Sequence, residues 1–174
     1  MSKRHIYQVL TKRPDRLKNI LQTATLPSSG RELSKLPMPN VMFGTSTEDQ
    51  EAFDQRVPDL CEAPCSIRFL SMEPLLGPID IKPLLSGPFK GKIHWIIVGG
   101  ESGQNWRKMD VDWARKIRDD AATLGIPFFF KQFASYRPKE LGRELDGVIH
   151  NAMPTLPKPW DGIIKNYNYS MSND

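Results

Sequence analysis

Apolar residues in this chain gather into short dense runs, each closed at once by polar or turn-forming residues. His5 to Leu10 (HIYQVL), Val41 to Gly44 (VMFG), Ile67 to Met72 (IRFLSM), Trp95 to Val98 (WIIV) and Phe128 to Phe130 (FFF) are these runs. Runs of this length bounded by turn signals predict strands, and WIIV, closed by glycines, predicts one buried on both faces. The segments between them carry a different period. Leu17, Ile20, Leu21 and Ala24 recur at helical spacing behind Pro14, which suits a first helical position. Thr47 with Gln50 fits a capping box, so a helix is expected there, failing near Pro58. Asp110 is placed to cap a helix whose Trp113, Ala114, Ile117, Ala121 and Leu124 share one face. Gly125 should stop that helix and Pro127 prevent its return.

The connecting stretches read as irregular. Residues 25–39 hold Pro27, Pro37, Pro39, Gly30 and several serines and predict a surface loop. Residues 79–92 have weak helical content and predict an irregular crossover. From Ala134 the chain reads as an extended cover with little regular structure, ending in a frayed NYNYSMSND. Strands alternating with helices predict an α/β fold with a parallel sheet. The expected organisation is residues 1–133 as the βα array, with residues 134–174 packed on the same domain.

Each strand ends in a polar group. These are Thr11-Lys12-Arg13, Thr45-Ser46-Thr47-Glu48, Ser71-Met72-Glu73, Gly99-Gly100-Glu101-Ser102 and Lys131-Gln132. Right-handed parallel βα units bring all five to one edge of the sheet. In open α/β sheets and in barrels that edge is where ligands bind. The plain alternative is a set of turns that merely cap helices. Hydroxyls and turn N–H groups suit phosphate, carboxylate or ribose. Lys12, Arg13 and Lys131 supply positive charge, while Glu73 and Glu101 suit an amine or hydroxyl, or a paired acid and base. No Walker loop, nucleophile elbow or metal-binding helix motif is present in the sequence.

Composition narrows the class. The chain has 174 residues, 39% hydrophobic and 25% charged, which fits one soluble globular domain with a real core. No apolar run approaches membrane-spanning length, and MSKRHIYQVL lacks a signal-peptide pattern, so a cytoplasmic location is expected. The formal charge of +4 is unevenly spread. Lys3, Arg4, Lys12, Arg13, Arg16 and Lys18 outweigh Asp15 near the start, and Glu48, Asp49, Glu51, Asp54, Asp59 and Glu62 outweigh Arg56 over residues 47–62. This is compatible with a nucleic acid or phosphate ligand without requiring one. Cys61 and Cys65, spaced C-x3-C with no histidine close by, read as buried free thiols rather than a zinc site or a disulfide framework.

The motifs QVLTKRP, NVMFGTSTEDQ, RFLSMEPLLGPID, WIIVGGESG and PFFFKQ, in that order, resemble the phage family named for gene products thirty-seven and sixty-eight. LDG and MP, at Leu145-Asp146-Gly147 and Met153-Pro154, resemble its C-terminal part. The resemblance runs from about His5 to Pro154. It implies a radical-SAM-like (βα) barrel, of which this chain would hold the later five strands, a partial barrel. Full members begin with a cysteine cluster that would hold an iron–sulfur cluster. Cys61 and Cys65 are too few and wrongly placed for it, so no cofactor is expected in this chain alone. The positions that match the family's motifs are Lys12, Arg13, Ser46, Glu48, Glu73, Gly99, Gly100, Glu101, Ser102, Lys131 and Gln132.

Two functional classes follow. One is a phage or prophage accessory binding protein on a shortened scaffold, acting against a host defence complex. The other is the substrate- or nucleotide-binding half of a split enzyme. A barrel fragment also leaves the strands at residues 5–11 and 127–133 without outer neighbours. Residues 134–174 are expected to cover one edge, with Trp160, Ile163, Ile164, Tyr167 and Tyr169 packing there, while a protein partner or a second copy pairs with the other.

Overall fold

All five apolar runs form strands in the computed structural model, which describes residues 5–23 and 38–158. In chain order the elements are β1 (Tyr7–Thr11), α1 (Asp15–Thr23), β2 (Val41–Ser46), α2 (Gln50–Glu62), β3 (Ile67–Met72), α3 (Lys82–Leu85), β4 (Trp95–Gly99), α4 (Val111–Leu124) and β5 (Phe128–Gln132). A 3-10 turn (Pro138–Leu141) and a small hairpin, β6 (Glu144–Leu145) with β7 (Val148–Ile149), follow. The large sheet has five strands in the order β1-β2-β3-β4-β5, all parallel. Sequential order with parallel pairing means each crossover advances the sheet by one strand. Among the described residues the sheet does not close, so the architecture is a partial (βα) barrel.

Pleating sends alternate residues to opposite faces. On one face Phe43, Leu70, Met72, Ile96, Val98 and Phe130 join Leu17 and Leu21 of α1, Phe53, Val57 and Leu60 of α2, Leu85 of α3 and Ile117 of α4 in the main core. The other face carries a smaller cluster of Met42, Ile67, Phe69, Trp95 and Phe129, covered by Leu156 and Met153. Gly44 makes that cluster possible, because a Cβ there would lie 2.4 Å from the Phe69 ring. The ring therefore lies across β2. The tail fastens this side. Trp95 Nε1 donates to the Ala152 carbonyl at 2.8 Å, the Phe130 N–H donates to the His150 carbonyl at 2.9 Å, and Asn151 bridges antiparallel to Phe129. Residues 150–156 thus cover the outer edge of β5 and the face beside it. Trp160, Ile163, Ile164, Tyr167, Tyr169, the closing NYNYSMSND, Ala24 and residues 25–37 of the expected loop lie outside the described residues.

The local expectations fail in four places. Helix α2 runs through Pro58 to Glu62. The missing N–H and ring clash cost about 3 kcal/mol, whereas each of Phe53, Val57 and Leu60 contributes roughly 1.5–3 kcal/mol by burial, so packing wins. Asp49, not Thr47, caps that helix, its carboxylate accepting from the Ala52 N–H at 2.9 Å. Ile20, read as part of one helical stripe with Leu17 and Leu21, is half exposed while those two are buried. The tail is also more regular than expected. Asp146 and Gly147 both have positive φ, at 56° and 73°, the backbone of a two-residue hairpin turn, and Arg115 and Arg118 hold the Asp146 carboxylate against α4. Among the described residues no helix is long and apolar enough to cross a membrane.

Candidate functional site

The turns after β1, β2, β3 and β4 meet around an open cleft of about 540 Å³ at the carboxyl edge of the sheet. Lys12, Glu48, Arg56, Pro74, Glu101 and Arg107 line it, with Asp49 and Glu51 at the start of α2. Glu48 is its most buried charge, 8% exposed. It follows β2 directly, and its carboxylate accepts from the Lys12 ammonium at the end of β1 and from the Arg56 guanidinium, the latter at 2.7 Å. Arg56 also donates to the Ser46 carbonyl at 2.8 Å. The Glu48 carbonyl accepts the Leu76 N–H at 2.8 Å. One residue therefore ties the ends of three strands. Burial pushes the Glu48 carboxyl up, but the bonds from Lys12 and the charge of Arg56 outweigh it and hold the group below its ordinary value.

Glu101 stands at the end of β4. Its carboxylate accepts the Arg107 N–H at 2.8 Å and the guanidinium at 2.9 and 2.7 Å. These bonds fold residues 101–107 back on themselves, with Gly103 and Asn105 at positive φ. The side-chain bonds from Arg107 lower the Glu101 carboxyl to about 2. Glu73 and Lys131 form a separate pair at 2.8 Å over Gly99, where a Cβ would come within 3.3 Å of the Glu73 carboxyl carbon. Gly100 is required more strictly, since a Cβ there would lie 2.2 Å from the Ala134 nitrogen.

The sequence-derived set divides accordingly. Lys12, Glu48 and Glu101 share the cleft. Glu73 and Lys131 pair beside it, Glu73 preceding the lining residue Pro74. Gly99 and Gly100 are there for close approach. Gln132 donates from Nε2 to the Gly100 carbonyl at 2.9 Å, Ser46 offers only its carbonyl to Arg56, and exposed Ser102 bridges Ser135. Arg13 is a correction. Its guanidinium turns to Asp15 at 3.0 and 2.9 Å, at the start of α1, and takes no part in the cleft. Glu73 and Glu101, expected as a potential acid and base pair, are instead held by different cations, Lys131 and Arg107.

Sequence reasoning missed Asp49, Glu51, Arg56 and Arg107. Asp49, Ala52 and Arg56 recur at helical spacing, a signal that one face of α2 turns towards the strand ends. Arg107 has no such signal, because only the fold-back of its loop brings it in. Three cations and four carboxylates line the cleft. Its two best-held acids, Glu48 and Glu101, are both stabilised as carboxylates and so are poor proton donors near neutral pH.

The cysteines do not fit iron–sulfur ligands. Cys61 ends α2 and Cys65 precedes β3, which puts both at the amino edge, away from the cleft. Burial pushes each thiol up to about 11, while a cluster takes thiolates. No group of three or more potential metal ligands occurs among the described residues. Residues 1–154 match the family described as "Protein of unknown function (DUF5131)". No curated protein and no solved structure matches the chain.

Proposed function

The chain belongs to this DUF5131 family, and from that premise we propose that it is a binding protein rather than a self-sufficient enzyme. In this reading it is a phage or prophage accessory protein on a radical-SAM-like scaffold, and it engages a host defence complex through the carboxyl edge of its sheet. One observation carries the binding role. All three cations of the cleft are paired with its acids, Lys12 and Arg56 with Glu48 and Arg107 with Glu101, and neither of these two acids is poised to exchange protons at neutral pH. Such a surface recognises charge and shape. The motif resemblance supports the phage assignment. Affinity capture from phage-infected cells tests the reading, using the native chain and a Lys12→Glu, Arg107→Glu double variant. Both positions are more than half exposed, so the fold should survive. A protein retained by the native chain and lost with the variant is expected. Equal retention by both overturns the cleft as the binding surface.

A second reading is favoured by one feature. No strand pairs with the outer edge of β1 among the described residues, and a sequential parallel sheet extends naturally by further βα units. The chain would then be the substrate- or nucleotide-binding half of a split radical-SAM-like enzyme. Under that reading the captured partner carries iron and three cysteine ligands, and the complex, not this chain, shows cluster absorbance after anaerobic reconstitution.

A further inference from the structure

The loop that Glu101 folds back has two sides. Arg107 faces the polar cleft, while its neighbours Trp106 and Lys108 line a second one. This second cleft, about 380 Å³, lies between the loop after β4 and the turn after β5. Met109, Val111 and Phe133 line it along with Trp106 and Leu141. Met109 is buried, whereas Trp106 is 39% and Leu141 57% exposed, among the few large apolar side chains left in water. Leu141 is held out by the 3-10 turn Pro138–Leu141, whose N–H and carbonyl bonds are internal. The single charged lining residue is Lys108, exposed and without an ion-pair partner among the described residues.

An apolar wall with one unpaired cation has a definite complement. We propose that this cleft docks a partner polypeptide by one large apolar side chain, with an acidic residue next to it in sequence meeting Lys108. Trp is enriched among the residues that carry binding energy at protein interfaces, and Met adapts its shape to an incoming side chain. The unpaired ammonium selects the sign of the neighbouring charge and costs nothing in broken ion pairs. The proposal rests on the binding-protein reading and adds the place and chemistry of a partner's anchor.

Two blocked tetrapeptides test it, acetyl-Gly-Phe-Glu-Gly-amide and acetyl-Gly-Phe-Lys-Gly-amide, titrated into the isotope-labelled full chain and followed by NMR. The acidic peptide should shift the Trp106 indole and Leu141 amide signals saturably, with the lysine peptide at least about tenfold weaker. Lys108→Glu should reverse that order. Leu141→Asp, at an exposed site, should abolish both shifts while the Glu101 and Arg107 signals stay in place. Equal affinity for the two peptides, no saturable shift, or shifts elsewhere would overturn the proposal. So would concentration-dependent broadening of the same signals without peptide, relieved by Leu141→Asp, since the occupant would then be a second copy of this chain. Failure here leaves the polar cleft untouched, because capture by that cleft is read through Lys12 and Arg107.

Discussion

The two ends of the sheet use polar residues in opposite ways. At the amino end, Arg68 of β3 sends its guanidinium to the carbonyls of Leu60 and Ala63, closing the end of α2, and its N–H donates to His94 Nδ1 at 3.1 Å. Burial lowers the pKa of His94, so it is held as a neutral acceptor. Arg68 and His94 are thus both consumed by backbone, although an exposed Lys18–Glu62 pair at 3.4 Å stands nearby at the end of α2. At the carboxyl end, Lys12, Arg56 and Arg107 meet carboxylates instead, and they do so around an open cleft. A turn that serves only the fold satisfies its own backbone. A turn that presents paired, part-exposed charges leaves interactions that a partner can exchange. This contrast is what supports the carboxyl edge as the proposed binding surface.

Substitutions at the two ends should separate accordingly. Arg68→Ala leaves two carbonyls without their charged donor and should lower unfolding stability by about 2–3 kcal/mol, read by denaturant titration, with partner capture unchanged in the folded protein. Gly100→Ala forces a Cβ against the Ala134 backbone and should cost about 1–3 kcal/mol, a carboxyl-edge change in which stability and not charge is at stake. Lys12→Ala removes an ammonium that is 62% exposed, so it should change stability by less than about 1 kcal/mol while weakening capture. A large loss of stability in this variant would make Lys12 a structural residue and blur the contrast.

The smallest effect concerns pH. Because the folded Glu101 carboxyl is lowered to about 2, the Arg107 contacts stabilise the loop fully above the unfolded carboxyl range, near about 4.3, and lose that contribution as pH falls towards 2. A carboxyl-carbon NMR titration should place the Glu101 midpoint near 2 in the native chain and back in the ordinary range in Arg107→Ala. An unshifted midpoint in the native chain would remove the loop staple.

Much of this was legible in the sequence because the inner strands β2, β3 and β4 are buried almost throughout and so are rich in apolar residues. IRFLSM, WIIV and FFF announce themselves, and a parallel array places their ends together. Lys12, Glu48 and Glu101 follow from that alone. Arg107 does not, since its position depends on a loop whose path is set by two positive-φ residues and one carboxylate. Arg13 sits one residue from Lys12, yet the nearer Asp15 captures it. The hairpin turn at Asp146-Gly147 was written in the sequence, but its strands have only two residues each and carry no period to read.

Hydrogen exchange on the captured complex, set against the free chain, tests the central claim most directly. The account predicts slowed exchange in residues 47–56 and 100–109, around the carboxyl-edge cleft, with residues 63–68 and 90–95 at the amino edge unchanged. Protection confined to the amino edge, with the cleft exchanging as in the free chain, would contradict it.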